Sequence, residues 1–120
     1  MSSNFDEIDA LIKQFSVDRD WDQFHTPKNL LVALAAEMGE LSEVVLWKSD
    51  QDLEKYLLSD EGKEKISEEI ADVAIYLIRL CQKLDINLFK IIETKMDKNS
   101  AKYPVDKSKG NSKKYTELDK

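Results

Sequence analysis

Only three glycines and two prolines punctuate the 120 residues of this chain. A fold made of many short strands needs a turn every few residues, and those turns draw on Gly and Pro. Punctuation this sparse, in a sequence rich in Ala, Leu, Glu and Lys, predicts long helices and excludes an all-β fold. The length suits one hydrophobic core and not two.

Apolar residues recur at helical spacing in four long stretches. Phe5, Ile8, Leu11, Ile12 and Phe15 predict a first helix over about 4–17. The segment DRDWDQFHTP then breaks the pattern and reads as a loop holding two large aromatics and the single histidine. Thr26 is a natural N-cap and Pro27 fits the first helical position, so a second helix runs over about 27–47. Leu53, Tyr56 and Leu57 mark a short helix within a polar linker. A third major helix covers about 64–84 and a fourth about 85–103, stopped by Pro104. The expected fold is all-α and four-helix bundle-like, with a helical domain over 1–104 and a Lys-rich, partly disordered tail over 105–120.

The net charge of −6 argues against binding a nucleic-acid polymer, yet that charge is unevenly placed. Residues 1–72 hold 18 Asp and Glu against 7 Lys and Arg, whereas residues 73–120 hold 6 against 11. No apolar run reaches the roughly 18 to 20 residues that span a bilayer, so no membrane role is expected. The N-terminal MSSNFDEIDA lacks the basic start and apolar stretch of a targeting signal. Cys81 is the single cysteine; it can form no internal disulfide, and a reducing cytoplasm is the expected setting.

The acids fall in a telling place. With about 100° per residue and Leu30 at zero, Leu34, Leu41, Val44 and Val45 define the core stripe of the second helix. Glu37 lies at about −20°, inside that stripe, and Glu40 at about −80°, on its edge. On the third helix, Ile66, Ile70, Val73, Leu77, Leu80 and Leu84 form the stripe, with Glu69 at about −60°, Tyr76 at about −80° and Asp72 at about −120°. Glu68 falls on the far side near Arg79 and reads as solvated. A carboxylate on an apolar face is costly to bury unless neutralised, paired or bound to a metal. Two antiparallel helices carrying such pairs can gather four carboxylates, a donor set suited to Mg²⁺ or Mn²⁺ rather than zinc. Either pair alone would more commonly be an ordinary solvated face.

Two other metal readings fail. A di-iron bundle requires Glu-x-x-His, and His25 lies outside these helices. The run Asp18-x-Asp20-x-Asp22 opens like an EF-hand loop, but Gln23 stands where Gly is required and Asn29 where the bidentate Glu belongs.

Taken in order, RDWDQFHTPKNL, AAEMGELSEVVLWK, EEIADVAIYLIRL, KMDKNSAKYP and GNSKKYTEL resemble the all-α, MazG-like nucleoside triphosphate pyrophosphohydrolases, and within them the dCTP-hydrolysing branch. The resemblance covers nearly the whole chain. It implies metal binding by Glu37, Glu40, Glu69 and Asp72, the four residues that the helical wheels select separately. It further implies a nucleotide pocket built from Trp21, Asp22, Gln23, Phe24 and His25 together with Trp47 and Tyr76. Phosphate contacts are expected at Lys95, Asn99, Lys102 and Tyr103. Ile12 departs from the pattern, being apolar where related enzymes can carry a polar substrate contact.

These similarities imply Mg²⁺-dependent hydrolysis of a deoxynucleoside triphosphate, foremost dCTP, to the monophosphate and pyrophosphate, a nucleotide-pool house-cleaning reaction. Glu37, in the most apolar position, is the candidate for orienting the attacking water. The alternatives are another nucleotide preference, such as dUTP, dTTP or a modified pyrimidine, and a non-enzymatic helical interaction module. Trp21 and Phe24 could simply cap the core, and His25 could serve the start of the second helix. VAIYLIRL is apolar nearly all round, since Ile75 and Ile78 lie away from the core stripe. Oligomerisation is therefore expected, and the resemblance implies a homodimer or homotetramer with pocket residues from more than one chain.

Overall fold

In a computed structural model the described residues are 4–119, and among them every regular element is helical. The long helices are α1 (Phe5–Asp18), α2 (Pro27–Val45), α3 (Asp50–Leu58), α4 (Asp60–Lys83) and α5 (Leu88–Lys102). A short α6 (Val105–Ser108) follows, and 3-10 turns occur at Asp22–Phe24 and Tyr115–Glu117.

Each long helix starts on a side chain that can cap it. The oxygens of Asn4, Thr26, Ser49, Ser59 and Asn87 accept the backbone N–H three residues on, at 2.9–3.2 Å. Two of these caps move helix starts away from the periodicity-based expectation. The third major helix begins at Asp60 rather than near Glu64, because Ser59 caps it directly and the polar DEGKEK turn continues the helix. The fourth begins at Leu88 rather than Asp85, because Asn87 caps it and Asp85 adopts a left-handed φ of 54°. Ser59 also donates its hydroxyl to the carbonyl of Tyr56 at 2.5 Å, joining the end of α3 to the start of α4.

The described residues form two compact units, 4–85 and 86–119. In the first, α4 packs chiefly on α2 and also on α3 and α1. Leu30, Val44, Ile12 and Cys81 are its buried apolar side chains. The α3–α4 junction depends on Gly62, where a Cβ would stand 1.9 Å from the Tyr56 carbonyl oxygen. The stripe of α4 is only partly covered within one chain: Ile70, Leu77 and Leu84 remain well exposed, as does Ile75 on its flank. In the second unit Tyr115 meets Tyr103 edge to face, Lys102 lies over the Tyr115 ring, and Lys107 pairs with Asp119. Among the described residues no helix is long and apolar enough to cross a membrane.

Candidate metal centre and nucleotide pocket

The spacing of α2 and α4 brings the four acids together. Glu37, Glu40, Glu69 and Asp72 each offer an oxygen, and these oxygens all lie within 4.8 Å of one another. Glu69 is buried, and its Oε1 accepts a 3.0 Å salt bridge from Lys65, one turn earlier on α4. Glu37 Oε2 and Glu69 Oε2 are buried without a hydrogen-bond partner. Burial of the Glu37 carboxyl, reinforced by Glu40, Asp72 and Glu69, pushes its pKa above the ordinary carboxylate range.

Four convergent carboxylates with two orphaned oxygens are costly as they stand. A hard divalent cation would satisfy the orphaned oxygens and offset the mutual repulsion, so the residues present fit a metal centre. Lys65 was missed in reading the sequence, although its i,i+4 relation to Glu69 was visible there. Its ammonium pKa is raised, chiefly by the hydrogen bond to Glu69.

Beside the acids an open polar depression of about 470 Å³ is lined by residues including Glu40, Lys48, Tyr56, Lys65 and Glu69. Lys48 donates to the Val44 carbonyl at 2.7 Å and lies 4.8 Å from the centre of the Tyr56 ring.

A second, apolar cavity of about 230 Å³ opens between α1, the following loop and α4. Ile12, Phe15, Trp21, His25, Tyr76 and Arg79 contribute to its wall. The volume lies below the roughly 300–1,000 Å³ of pockets for drug-sized ligands and suits one flat ring. Trp21 meets both Phe15 and His25 edge to face, at centroid distances of 5.7 and 6.3 Å. Ser16, buried nearby, is turned back onto its own helix toward the Ile12 carbonyl.

Arg79 is where the wheel misleads. It shares a side of the helix with exposed Glu68, yet it is 3% exposed itself. The loop after α1 wraps over it, so that Asp22 pairs with its guanidinium and His25 Nδ1 accepts its Nε–H at 3.0 Å. Lys83 also reaches Asp22, at 3.1 Å, and these two cations hold the Asp22 carboxyl below its usual range.

The other expected nucleotide contacts are distributed unevenly. Trp21, His25 and Tyr76 line the apolar cavity, and Asp22 secures its floor through Arg79. Gln23 is occupied locally, donating to the carbonyl and carboxylate of Asp20 at 3.0 Å. Phe24 is exposed and its carbonyl accepts from Asn29. Trp47 stands 94% exposed, with a left-handed φ of 65°, and lines neither the cavity nor the polar depression. Lys95, Asn99, Lys102 and Tyr103 all belong to the second unit, where the Asn99 carbonyl accepts the Tyr103 N–H and ends α5.

Comparison with known proteins agrees with this architecture. Residues 32–118 match the model of the MazG-like family. The chain is 41% identical over 113 residues to dCTP pyrophosphatase 1 of Rattus norvegicus and 40% identical to that of Homo sapiens. Each alignment covers 94% of this chain and 66% of the relative. A crystal structure of a pyrophosphatase from Archaeoglobus fulgidus superposes with a TM-score of 0.77 at 38% identity, covering 87% of this chain and 95% of that one. A family model that takes in most of the chain, together with an acidic cluster on α2 and α4, leads to one conclusion: the chain belongs to the MazG-like family.

Proposed function

We propose that the protein is a Mg²⁺-dependent nucleoside triphosphate pyrophosphohydrolase that converts a deoxynucleoside triphosphate, preferentially dCTP, and water into the monophosphate and pyrophosphate. The observation that carries this reading is the order of side chains along α4. Glu69 and Asp72 stand in the acidic cluster, and Tyr76 and Arg79, one and two turns later, line the aromatic cavity. At about 1.5 Å of rise per residue, some 6 Å of helix separates Asp72 from Tyr76. One helix thus links a cation site for phosphates to a pocket for a flat ring, the two ends of a nucleotide.

Glu37, Glu40, Glu69 and Asp72 would hold the cation. Bound there, Mg²⁺ supplies charge neutralisation of the phosphates and a lowered pKa for an attacking water. Glu69 is the most buried of the four, while Glu37, whose Oε2 meets no donor and whose pKa is raised, is the candidate to orient that water and take its proton. Trp21, Phe15 and Tyr76 would exclude water from the base, while Lys65 and Lys48 offer positive charge beside the acids. Lys95, Asn99, Lys102 and Tyr103 are the further candidates for phosphate contacts. Attack at the α-phosphorus makes pyrophosphate the leaving group, and such catalysis is mainly positioning and electrostatics. The absence of any need for a nucleophilic Ser or Cys agrees with this, and Cys81 is buried, its thiol pKa raised by that burial.

The half-covered stripe of α4 supports assembly with further copies, proposed as a homodimer or homotetramer in which exposed Trp47 would serve a neighbouring copy's pocket, and the free Cys81 suits a reducing cytoplasm. The identity of relatives named for dCTP supports the substrate preference. A panel of deoxynucleoside triphosphates, assayed for pyrophosphate release with and without Mg²⁺, tests the reading. It fails if no triphosphate is turned over, and the dCTP preference fails if kcat/KM for dCTP is no better than for the others.

A further inference from the structure

His25 is the only histidine in the chain, and its two ring nitrogens have different surroundings. Nδ1 accepts the Nε–H of Arg79 at 3.0 Å. Nε2 has no partner among the described residues, and the ring lines the apolar cavity. Arginine never gives up its proton in a protein and cannot accept a hydrogen bond. Nδ1 must therefore carry the lone pair, and the proton of the neutral imidazole must sit on Nε2.

The guanidinium that imposes this is itself fixed from several sides. One terminal nitrogen donates to Gln82 Oε1 at 2.9 Å and the other pairs with Asp22. Gln82 in turn donates to the carbonyl and carboxylate oxygens of Asp9 on α1, both at 2.8 Å. The His25 N–H donates to the Asp22 carbonyl at 3.2 Å, which anchors the backbone beneath the ring. Arg79, Asp22 and Lys83 are the charged groups around the imidazole, and burial together with the two cations outweighs Asp22 in lowering its pKa.

We propose that Arg79 is a positioning residue that locks His25 as the Nε2–H tautomer, making it a one-way donor to a hydrogen-bond acceptor on the ring that enters the apolar cavity. The proposal rests on the functional reading above for the identity of that ring, a nucleobase, and specifies what its edge must offer: a carbonyl oxygen or an unprotonated ring nitrogen facing Nε2. A ring presenting an N–H or amino group at that place meets a second donor and is rejected, because a buried polar group left unpaired costs more than a lost contact.

A single histidine makes the test direct. Long-range ¹H–¹⁵N spectra of the ¹⁵N-labelled full chain near pH 7.5, without nucleotide or metal, report both ring nitrogens of His25. The expected spectrum shows protonated Nε2 and bare Nδ1 in the wild type, and a mixture of tautomers in Arg79→Met, which can neither donate nor impose a lone pair on Nδ1. With dCTP and Mg²⁺, Arg79→Met should raise KM about tenfold and leave kcat within about threefold, the split expected when ground-state binding is lost.

A protonated Nδ1 in the wild type overturns the proposal whether or not the variant folds. So does a single Nε2–H tautomer retained in folded Arg79→Met. A shifted tautomer with unchanged KM overturns the role in ligand recognition. Should the wild type turn over no triphosphate while its spectrum behaves as expected, the lock stands and the functional reading falls, so the two failures are distinguishable.

Discussion

Glu37 on α2 and Glu69 on α4 each bury a carboxylate oxygen that meets no donor, and they do so in one cluster with Glu40 and Asp72. Such an arrangement is held together by the packing around it and opposed by its own charge. Binding of Mg²⁺ to the folded state should therefore stabilise the protein by about 2.7 kcal/mol at a hundredfold excess over Kd. Calorimetry should show this rise in the wild type and its loss in Glu69→Gln and Asp72→Asn, with pyrophosphate release falling at least about a hundredfold. Retained Mg²⁺-dependent turnover in either folded variant would remove these residues from the site.

The raised pKa of Glu37 fixes the sign of a pH effect in the metal-free protein. The folded state holds this proton more tightly than the unfolded chain, so its contribution is present below the ordinary carboxylate pKa and is lost as pH rises through the folded value. Glu37→Gln, neutral at every pH, should be more stable than the metal-free wild type at pH 8 and no more stable at pH 4. Urea midpoints at the two pH values measure this; equal differences at both would show that Glu37 is not under strain from its ionised neighbours.

His25 works in the opposite direction and a different window. Its folded pKa is lowered, so the unfolded chain binds the proton first as pH falls, and stability declines on acidification from above about 6.5 toward the folded value. Asp22, also lowered, contributes stability that disappears only at more acidic pH, below the ordinary aspartate range. His25→Gln should therefore flatten the stability profile between pH 7.5 and about 5.5 while leaving the lower limb in place. A profile unchanged by the substitution would show that the imidazole protonates freely in the fold.

The acids were legible because a carboxylate inside an apolar stripe conflicts with its surroundings, and a conflict is visible on a single helix. Thr26 and Pro27 were legible for a similar reason, since capping is local chemistry read within one turn. Arg79 was not, because its burial is conferred by another segment: the loop carrying Asp22 and His25 folds over it from more than fifty residues away in sequence. The fate of Trp47 was hidden too. Periodicity places it at the end of α2, but a left-handed residue there turns the side chain out of the helix pattern. Ile70 and Leu77 carry the same lesson, as a wheel says which face is apolar and not how much of it one chain covers.

Gly62 and Gly39 should respond oppositely to alanine. In an exposed helix the change gains up to about 1 kcal/mol from propensity. At Gly62 the added methyl would collide with the Tyr56 backbone, so the α3–α4 junction must shift, at about 1–3 kcal/mol. Nothing lies within 4 Å of a Cβ at Gly39, and alanine there should stabilise an isolated chain. Denaturation of both variants checks the contrast, and a destabilising Gly39→Ala would locate that face against a second chain.

Trp47 combines two costs that the isolated chain does not recover. A bulky residue at φ 65° is strained by roughly 1–3 kcal/mol, and its large apolar ring lies almost wholly in water. Glycine adopts that backbone conformation freely, so Trp47→Gly should raise the stability of the chain if nothing packs on the indole. The same substitution should raise KM for dCTP by about tenfold or more if the ring closes the pocket of a neighbouring copy, as stacked aromatics commonly contribute 1–3 kcal/mol per base. Sedimentation of wild type and variant at micromolar concentration separates loss of assembly from loss of binding. A wild-type protein that is monomeric, and a variant with unchanged KM, would together leave the strained, exposed tryptophan without a role in the nucleotide site and would remove the shared pocket from the proposed function.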